Sequence, residues 1–238
     1  RRRFVVCQSF LCPANLVGRL AATLARVPVI VSNVRVEESR RYHLLLDRLT
    51  APLIDLEVCV SRSVRAYTAH HSNIPNDKLP VIPNGLDLSL YQLRAAPFGI
   101  GDPLAVAPRE ATRARFNIPP EAPLLLFVGR FRREKALGTL LTAFAQVAKY
   151  YPEARLMLAG SGDLEPDLRA RTAELGIAGS VIFAGWQPDP RPLYQAADLF
   201  VLSSEYEGMP NVVLEAMATA LPVVTTDAAG CTEVVRHG

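Results

Sequence analysis

The chain has 238 residues, of which 50% are hydrophobic and 21% charged, with a formal net charge of +3. That describes a packed globular protein of one large domain or two small ones and excludes a disordered or low-complexity chain. The 26 basic residues are spread along the sequence rather than gathered on one stretch, so the electrostatic footprint of a nucleic-acid binder is missing and no nucleic-acid partner is expected.

Only Lys78, Lys135 and Lys149 among the basic residues are lysines, a bias that reads as genome composition more readily than as phosphate chemistry. Cys7 and Cys12 are separated by four residues, but Cys59 and Cys231 supply no second pair to complete a zinc site, so core packing in a reducing compartment is expected. Apolar runs such as Leu124–Val128 fall far short of the roughly 18 residues of a membrane span. Pro13 and Asn15 interrupt the stretch behind Arg1–Arg3 too early for a signal peptide. The chain lacks an initiator Met, enters a strand-like run almost at once and stops straight after a short helical pattern, so both ends read as truncations.

In chain order, β-rich runs alternate with helical patterns. Strands are predicted at Phe4–Cys7, Val29–Val31, Glu57–Val60 and Leu79–Ile82, with helices near Ala14–Arg26, Glu38–Ile54 and Ser61–His70 between them. Six prolines and two glycines then break the pattern between Asp87 and Pro123, apart from one short helix near Arg109–Phe116. Further strands follow at Leu124–Val128, Arg155–Ala159, Val181–Phe183, Leu199–Leu202 and Pro222–Thr225. Leu137, Leu140, Leu141, Phe144, Val147 and Ala148 mark an amphipathic helix after the first of these. Continuous apolar strands separated by helices imply parallel sheets buried on both faces. The division expected is an α/β domain over residues 1–96, a connection over 97–120 and a second α/β domain over 121–238. In such sheets ligands bind beyond the carboxyl ends of the strands, so the chemistry is sought in the turns that follow them.

Four turns stand out. Gly129-Arg130-Phe131-Arg132-Arg133-Glu134-Lys135 follows a buried strand and leads into a helix, where free N–H groups and the helix dipole favour an anion. By itself such a basic loop is more often merely solvated. Gly160-Ser161-Gly162-Asp163 lets backbone approach a ligand closely, yet many such turns are only tight. The strongest is Ser203–Asn211 with its following helix Val212–Ala220, in which Pro210 fixes the entry and Asn211 caps. It carries two carboxylates, Glu207 in the loop and Glu215 on the helix, with the helix start between them. Acidic residues there can simply complement the dipole. Glu215, however, shares a helix side with Val212, Ala216 and Thr219, and a carboxylate turned toward a packed face needs a partner. The fourth, Thr225–Gly230, brings small residues and hydroxyls to the same edge.

Taken together, Gly129-Arg130 with Lys135, Gly160-Ser161-Gly162, Glu207-Gly208-Met209-Pro210-Asn211 through Leu214-Glu215-Ala216-Met217-Ala218, and Leu221-Pro222-Val223-Val224 resemble the donor domain of the retaining GT-B glycosyltransferases of family 4. Ile82-Pro83-Asn84-Gly85-Leu86-Asp87 is similar to the end of that family's first domain, and the resemblance covers nearly the whole chain. It implies a GT-B architecture: two Rossmann-like α/β/α domains with parallel sheets facing across a cleft, both incomplete in this chain. It implies that Arg130 and Lys135, on the turn opened by Gly129, hold the diphosphate of a nucleotide sugar. Glu215 would bind the ribose hydroxyls. Glu207 would contact the transferred sugar together with the following Gly208, Met209, Pro210, Asn211 and Val212. Gly160 and Gly162 would line the site, and Trp186 and Gln187 would lie by the base. Arg130, Lys135 and Glu207 are the catalytic residues so implied.

The resemblance also implies transfer with retention, no cofactor and no metal. It implies a carbohydrate or lipid-linked carbohydrate acceptor in cell-surface polysaccharide or glycolipid synthesis, and a cytoplasmic protein peripheral to the inner membrane face. Ala136 and Ala220 stand where the family commonly has glycine, and Ala229 replaces the first of two usual glycines. Ser32-Asn33-Val34-Arg35 occupies the region where a first-domain histidine is usual. Two other readings share parts of this pattern: a nucleotide-sugar epimerase on the same architecture, and a non-catalytic nucleotide-sugar-binding module. A glycoside hydrolase built on the glutamate pair would leave the basic turn without a role.

Overall fold

The computed structural model describes residues 4–37, 40–91 and 106–236, with the backbone alone at 106–108. Its contacts divide the chain into two compact units. The first takes the described residues up to Gly85, together with Tyr206–Pro210 and those from Ala229 on; the second takes the described residues of Leu86–Glu205 and Asn211–Ala228. Of the expected connection, residues 97–105 lie outside the described residues.

In the first unit, β1 (Val6–Phe10), β2 (Val29–Val34) and β3 (Leu56–Cys59) form a parallel sheet in the order β1-β2-β3. Helices α1 (Cys12–Leu24), α2 (Arg41–Thr50) and α3 (Arg62–Ser72) belong to the same unit. Pro13 sits in the first turn of α1, where its missing N–H loses nothing. Pro52 ends α2 early: the helix predicted to reach Ile54 tightens at Ala51–Leu53 into a 3-10 turn. Ser61 caps α3 by accepting the Val64 N–H at 3.2 Å. The strand predicted at Leu79–Ile82 is reduced to a single bridge between Cys59 and Val81. Pro80 and Pro83 have no N–H to donate, so the ladder stops after Cys59 N to Pro80 O and Ile82 N to Cys59 O, both 2.9 Å. Ile30, Ile54, Val60, Val64, Ile74 and Leu79 are packed in the core.

The first unit also buries charge. Arg19, on α1 and fully buried, donates to Asp47 Oδ1 at 2.7 Å, Glu57 Oε1 at 2.6 Å, Thr50 Oγ1 at 2.9 Å and Ser32 Oγ at 2.9 Å. Asp47 also accepts from the Ser72 hydroxyl. One cation thus faces two carboxylates, and Glu57 Oε2 is buried without a partner.

The second unit holds a five-stranded parallel sheet in the order β6-β5-β4-β7-β8. Its strands are β4 (Leu124–Val128), β5 (Arg155–Ala159), β6 (Val181–Gly185), β7 (Leu199–Leu202) and β8 (Val223–Thr225). The apolar runs that predicted them are buried: Leu124, Leu126, Phe127, Leu156, Met157, Leu158 and Phe200 have no exposure. Each such side chain contributes roughly 1.5–3 kcal/mol by leaving water. Around the sheet stand α4 (Val106–Arg115), α5 (Leu137–Tyr150), α6 (Glu165–Glu174), α7 (Arg191–Ala196) and α8 (Asn211–Ala218). The helix expected inside the connection, α4, packs against α7. Its Arg109 and Arg113 reach Asp198 at 2.8 and 2.7 Å and the Ala196 carbonyl at 2.8 and 3.0 Å. A last short helix, α9 (Ala229–Thr232), belongs to the first unit.

Candidate functional site

In the second sheet β4 is the first strand in sequence and a central one in space. From it β5 and β6 run to one side, and β7 and β8 to the other. The connections after β4 and β7 therefore leave in opposite senses, which makes a topological switch point, where open α/β sheets bind their ligands. The turns predicted to carry chemistry follow these strands.

The basic turn after β4 is fastened on both sides. Toward β7, Ser203 Oγ donates to Lys135 O at 2.7 Å and Glu205 N to Glu134 O at 2.9 Å. Toward β5, Gly129 N donates to Ala159 O and Phe131 N to Ser161 O, both at 2.9 Å. Gly160 N in turn reaches Gly185 O at 2.8 Å, beside Trp186 and Gln187. Four strand ends are thus tied into one surface. Arg130 is exposed on it and Lys135 half-buried. Lys135 closes a 3-10 turn, Arg133–Lys135, directly before α5. Gly160 has a positive φ of 147°, and a Cβ there would overlap Gly129 O. The glycine is required by the neighbouring turn itself, whatever ligand lies beyond it. Trp186 is 71% exposed, and Gln187 Nε2 donates to Ala184 O at 2.6 Å, which pins that turn.

Helix α8 begins at Asn211, directly after the buried Pro210. Val213, Ala216 and Thr219 are buried, Val212 is half-buried, and Glu215 is half-buried on the neighbouring side. The partner that Glu215 needs is Tyr194 of α7, whose hydroxyl donates to Glu215 Oε2 at 2.7 Å. The sequence signalled that a partner was required, but nothing in it singled out Tyr194 among seven tyrosines. Burial, then the Glu215 charge, push the Tyr194 phenol far above its ordinary range, so it stays a donor.

Glu207, Gly208, Met209 and Pro210 belong to the first unit. Gly208 is buried, and a Cβ there would overlap Arg35 O. Asn84 donates to Met209, from its backbone N to Sδ at 3.3 Å and from Nδ2 to the carbonyl at 3.2 Å. Gly230 N donates to Glu207 O at 3.2 Å. Asn84 of one motif and Met209 of another, two parts of the sequence resemblance far apart in the chain, therefore meet within the first unit. The same unit has a cavity of about 120 Å³ at the carboxyl ends of β1 and β2, lined among others by Leu11, Cys12, Arg35, Asp47, Tyr67 and Ser72. Val34 and Arg35 of its lining come from the segment where the resemblance leads one to expect a histidine, while Asn15, Asp47, Tyr67, Thr68 and Ser72 come from helix positions that look like ordinary surface in the sequence.

Among the described residues, no group of three or more His, Cys, Asp or Glu stands close enough to hold a metal ion, and no helix is long and apolar enough to cross a membrane.

Residues 3–90 match the family model described as Glycosyltransferase Family 4 and residues 122–238 the one described as Glycosyl transferases group 1. The chain is 40% identical over 126 residues to the lipopolysaccharide core biosynthesis glycosyltransferase LpsE of Rhizobium meliloti, covering 53% of this chain and 36% of that protein. It is 34% identical over 261 residues to a D-inositol 3-phosphate glycosyltransferase of Thermobispora bispora, covering 99% and 58%. The solved structure of Anabaena HepE with UDP and glucose superposes with a TM-score of 0.83 at 23% identity, over 98% of this chain and 62% of that one. The chain thus spans less than two thirds of each of these proteins. Its two parts thus match a glycosyltransferase family 4 domain followed by a glycosyl transferases group 1 domain, and its fold is that of the GT-B glycosyltransferases.

Proposed function

We propose that the protein transfers a sugar from a nucleoside-diphosphate sugar to an acceptor hydroxyl, with retention of anomeric configuration and without a metal ion. The observation that carries this reading is the switch point between β4 and β7, with Arg130, Lys135 and the start of α5 on the turn after β4. Two basic side chains beside free helix N–H groups suit a diphosphate. As the bond from the anomeric carbon to the diphosphate oxygen breaks, negative charge builds on the leaving group. Arg130 and Lys135 stabilise it by preorganised electrostatics. The acceptor oxygen bonds to the same face of the anomeric carbon, and its proton passes to a phosphate oxygen of the leaving group, so no protein base is required. Glu215 accepts from the ribose hydroxyls, and Glu207 orients the sugar.

The acceptor is a carbohydrate or lipid-linked carbohydrate in polysaccharide or glycolipid assembly, in keeping with the lipopolysaccharide role in the name of LpsE. We place the protein in the cytoplasm, peripheral to the inner membrane face. In support, α2 exposes Tyr42, Leu45, Leu46 and Leu49, with Arg41 and Arg48 also outward, while its single acid, Asp47, is turned in to Arg19. A basic, apolar helix face suits an anionic lipid surface.

The deciding experiment incubates the complete protein with a panel of nucleotide sugars and cell-envelope glycolipid acceptors, with and without EDTA. Nucleotide release is measured and product anomers are read by NMR. Acceptor-dependent release of nucleoside diphosphate that survives EDTA is expected. Release only in the presence of magnesium or manganese, or inversion at the anomeric carbon, would overturn the corresponding part of the mechanism.

A further inference from the structure

The Tyr194–Glu215 contact does more than satisfy a buried hydroxyl. Tyr194 has no exposure, its ring packs on Phe200 at 5.8 Å between centroids, and its hydroxyl reaches Glu215 Oε2 at 2.7 Å. The helix that carries it is itself clamped. Arg109 and Arg113 of α4 hold the carbonyl of Ala196 and the carboxylate of Asp198 just after the α7 end. Glu215 is otherwise a three-torsion side chain on a half-exposed face, and fixing it costs entropy each time a ligand is bound. A donor fixed from within removes that cost before binding and occupies only one of the two carboxylate oxygens.

We propose that Tyr194 is a positioning residue for donor binding: its hydroxyl holds Glu215 Oε2 so that Oε1 is presented in one orientation to the vicinal hydroxyls of the nucleotide ribose. The inference rests on the reading of Glu215 given above. Burial keeps the phenol protonated, so the hydrogen bond persists across the working pH range. Tyr194→Phe removes one oxygen from a packed site, and water can reach the half-exposed carboxylate it leaves, so the variant retains the fold.

The test uses the complete protein, its Tyr194→Phe, Glu215→Ala and double variants, and the probes UDP and GDP, each with its 2′,3′-dideoxy counterpart. Affinities come from calorimetry, and KM and kcat from transfer. For the nucleotide that binds, Tyr194→Phe should weaken the ribose form about tenfold, the scale of one hydrogen bond to a charged group. It should leave the dideoxy form unchanged and raise donor KM with little change in kcat. In the Glu215→Ala background it should cost nothing more. Equal weakening of ribose and dideoxy forms, or no weakening of either, would overturn the positioning role while leaving Glu215 assigned. A wild-type protein that binds both forms equally would instead remove the Glu215 reading, and this inference with it.

Discussion

Glu57 offers a direct test of how the first unit is held together. Its carboxyl is pushed from an ordinary 4.5 up to about 7 by burial and then by Asp47, against the pull of Arg19. Arg19, Asp47, Ser32, Thr50 and the Cys59 thiol, itself pushed up to about 11, make up its surroundings. Between those two values the folded chain holds a proton that the unfolded chain has lost. The contribution of this group is therefore fully present below about pH 4.5 and is lost as pH rises through about 7. A shift of that size corresponds to roughly 3 kcal/mol at most. Glu57→Gln fixes the neutral form and leaves Arg19 paired one-to-one with Asp47. The new amide stands where Oε2 has no partner, a penalty of about 1–3 kcal/mol, so the net gain above pH 7 should be at most about 2 kcal/mol. Amide hydrogen exchange of peptides spanning β2 and β3, wild type against variant at pH 5 and pH 8, measures this. The variant should gain protection at pH 8 relative to pH 5. The same difference at both pH values, or a loss at pH 8, would refute the account of a carboxylate strained by burial.

Arg130→Ala and Lys135→Ala should each lower turnover about a hundredfold, the roughly 3 kcal/mol of one lost transition-state donor, without shifting the unfolding midpoint. Near-normal kcat/KM in both would remove the diphosphate assignment. Ala220→Gly should stabilise the second unit by about 1 kcal/mol, because Ala220 holds a φ of 55° after α8. The urea midpoint followed through Trp186, the only tryptophan, reads it, and an unchanged or lower midpoint would contradict the strain. In flotation with anionic phosphatidylglycerol vesicles, the complete protein should bind and Leu45→Asp/Leu49→Asp should not. Equal binding by both would show that this face of α2 is not the membrane contact.

Much of the fold was legible because its strands are uninterrupted apolar runs. Leu124–Val128, Arg155–Ala159 and Leu199–Leu202 lie where the sequence predicts them, since burial on both faces leaves no alternation to misread. The first half was harder. β1 falls two residues beyond the predicted start, and Val6 and Phe10 are exposed, so its apolar character does not mark a core. At Leu79–Ile82 apolar content predicts a strand, but Pro80 within it and Pro83 after it limit the hydrogen bonding that decides the outcome. The candidate site was legible as turns after strands. What stayed hidden were contacts between segments far apart in sequence: Arg19 with Glu57, Tyr194 with Glu215, and Asn84 with Met209. Each joins residues whose individual identity is commonplace, so only the folded chain reveals that they are partners.

The glycine positions show the same physics at work on the motif itself. At Gly160 and Gly208 an added Cβ would run into the backbone oxygens of Gly129 and Arg35, and neither oxygen can give way without pulling a turn out of place. Glycine stands at both. At Ala136 and Ala220, where the family resemblance leads one to expect glycine, the demand is only for positive φ, 46° and 55°. Alanine meets it at about 1–2 kcal/mol. Ala229 has no positive φ and carries no such strain. Two of the departures, Ala136 and Ala220, thus fall where the penalty is a bounded torsional one and the third, Ala229, where there is none, whereas Gly160 and Gly208 stand where it is a steric overlap. That sorting argues that the turns around the candidate donor site keep their geometry despite the substitutions, since at Ala136 and Ala220 a glycine would serve the torsion of its own residue rather than the approach of another segment.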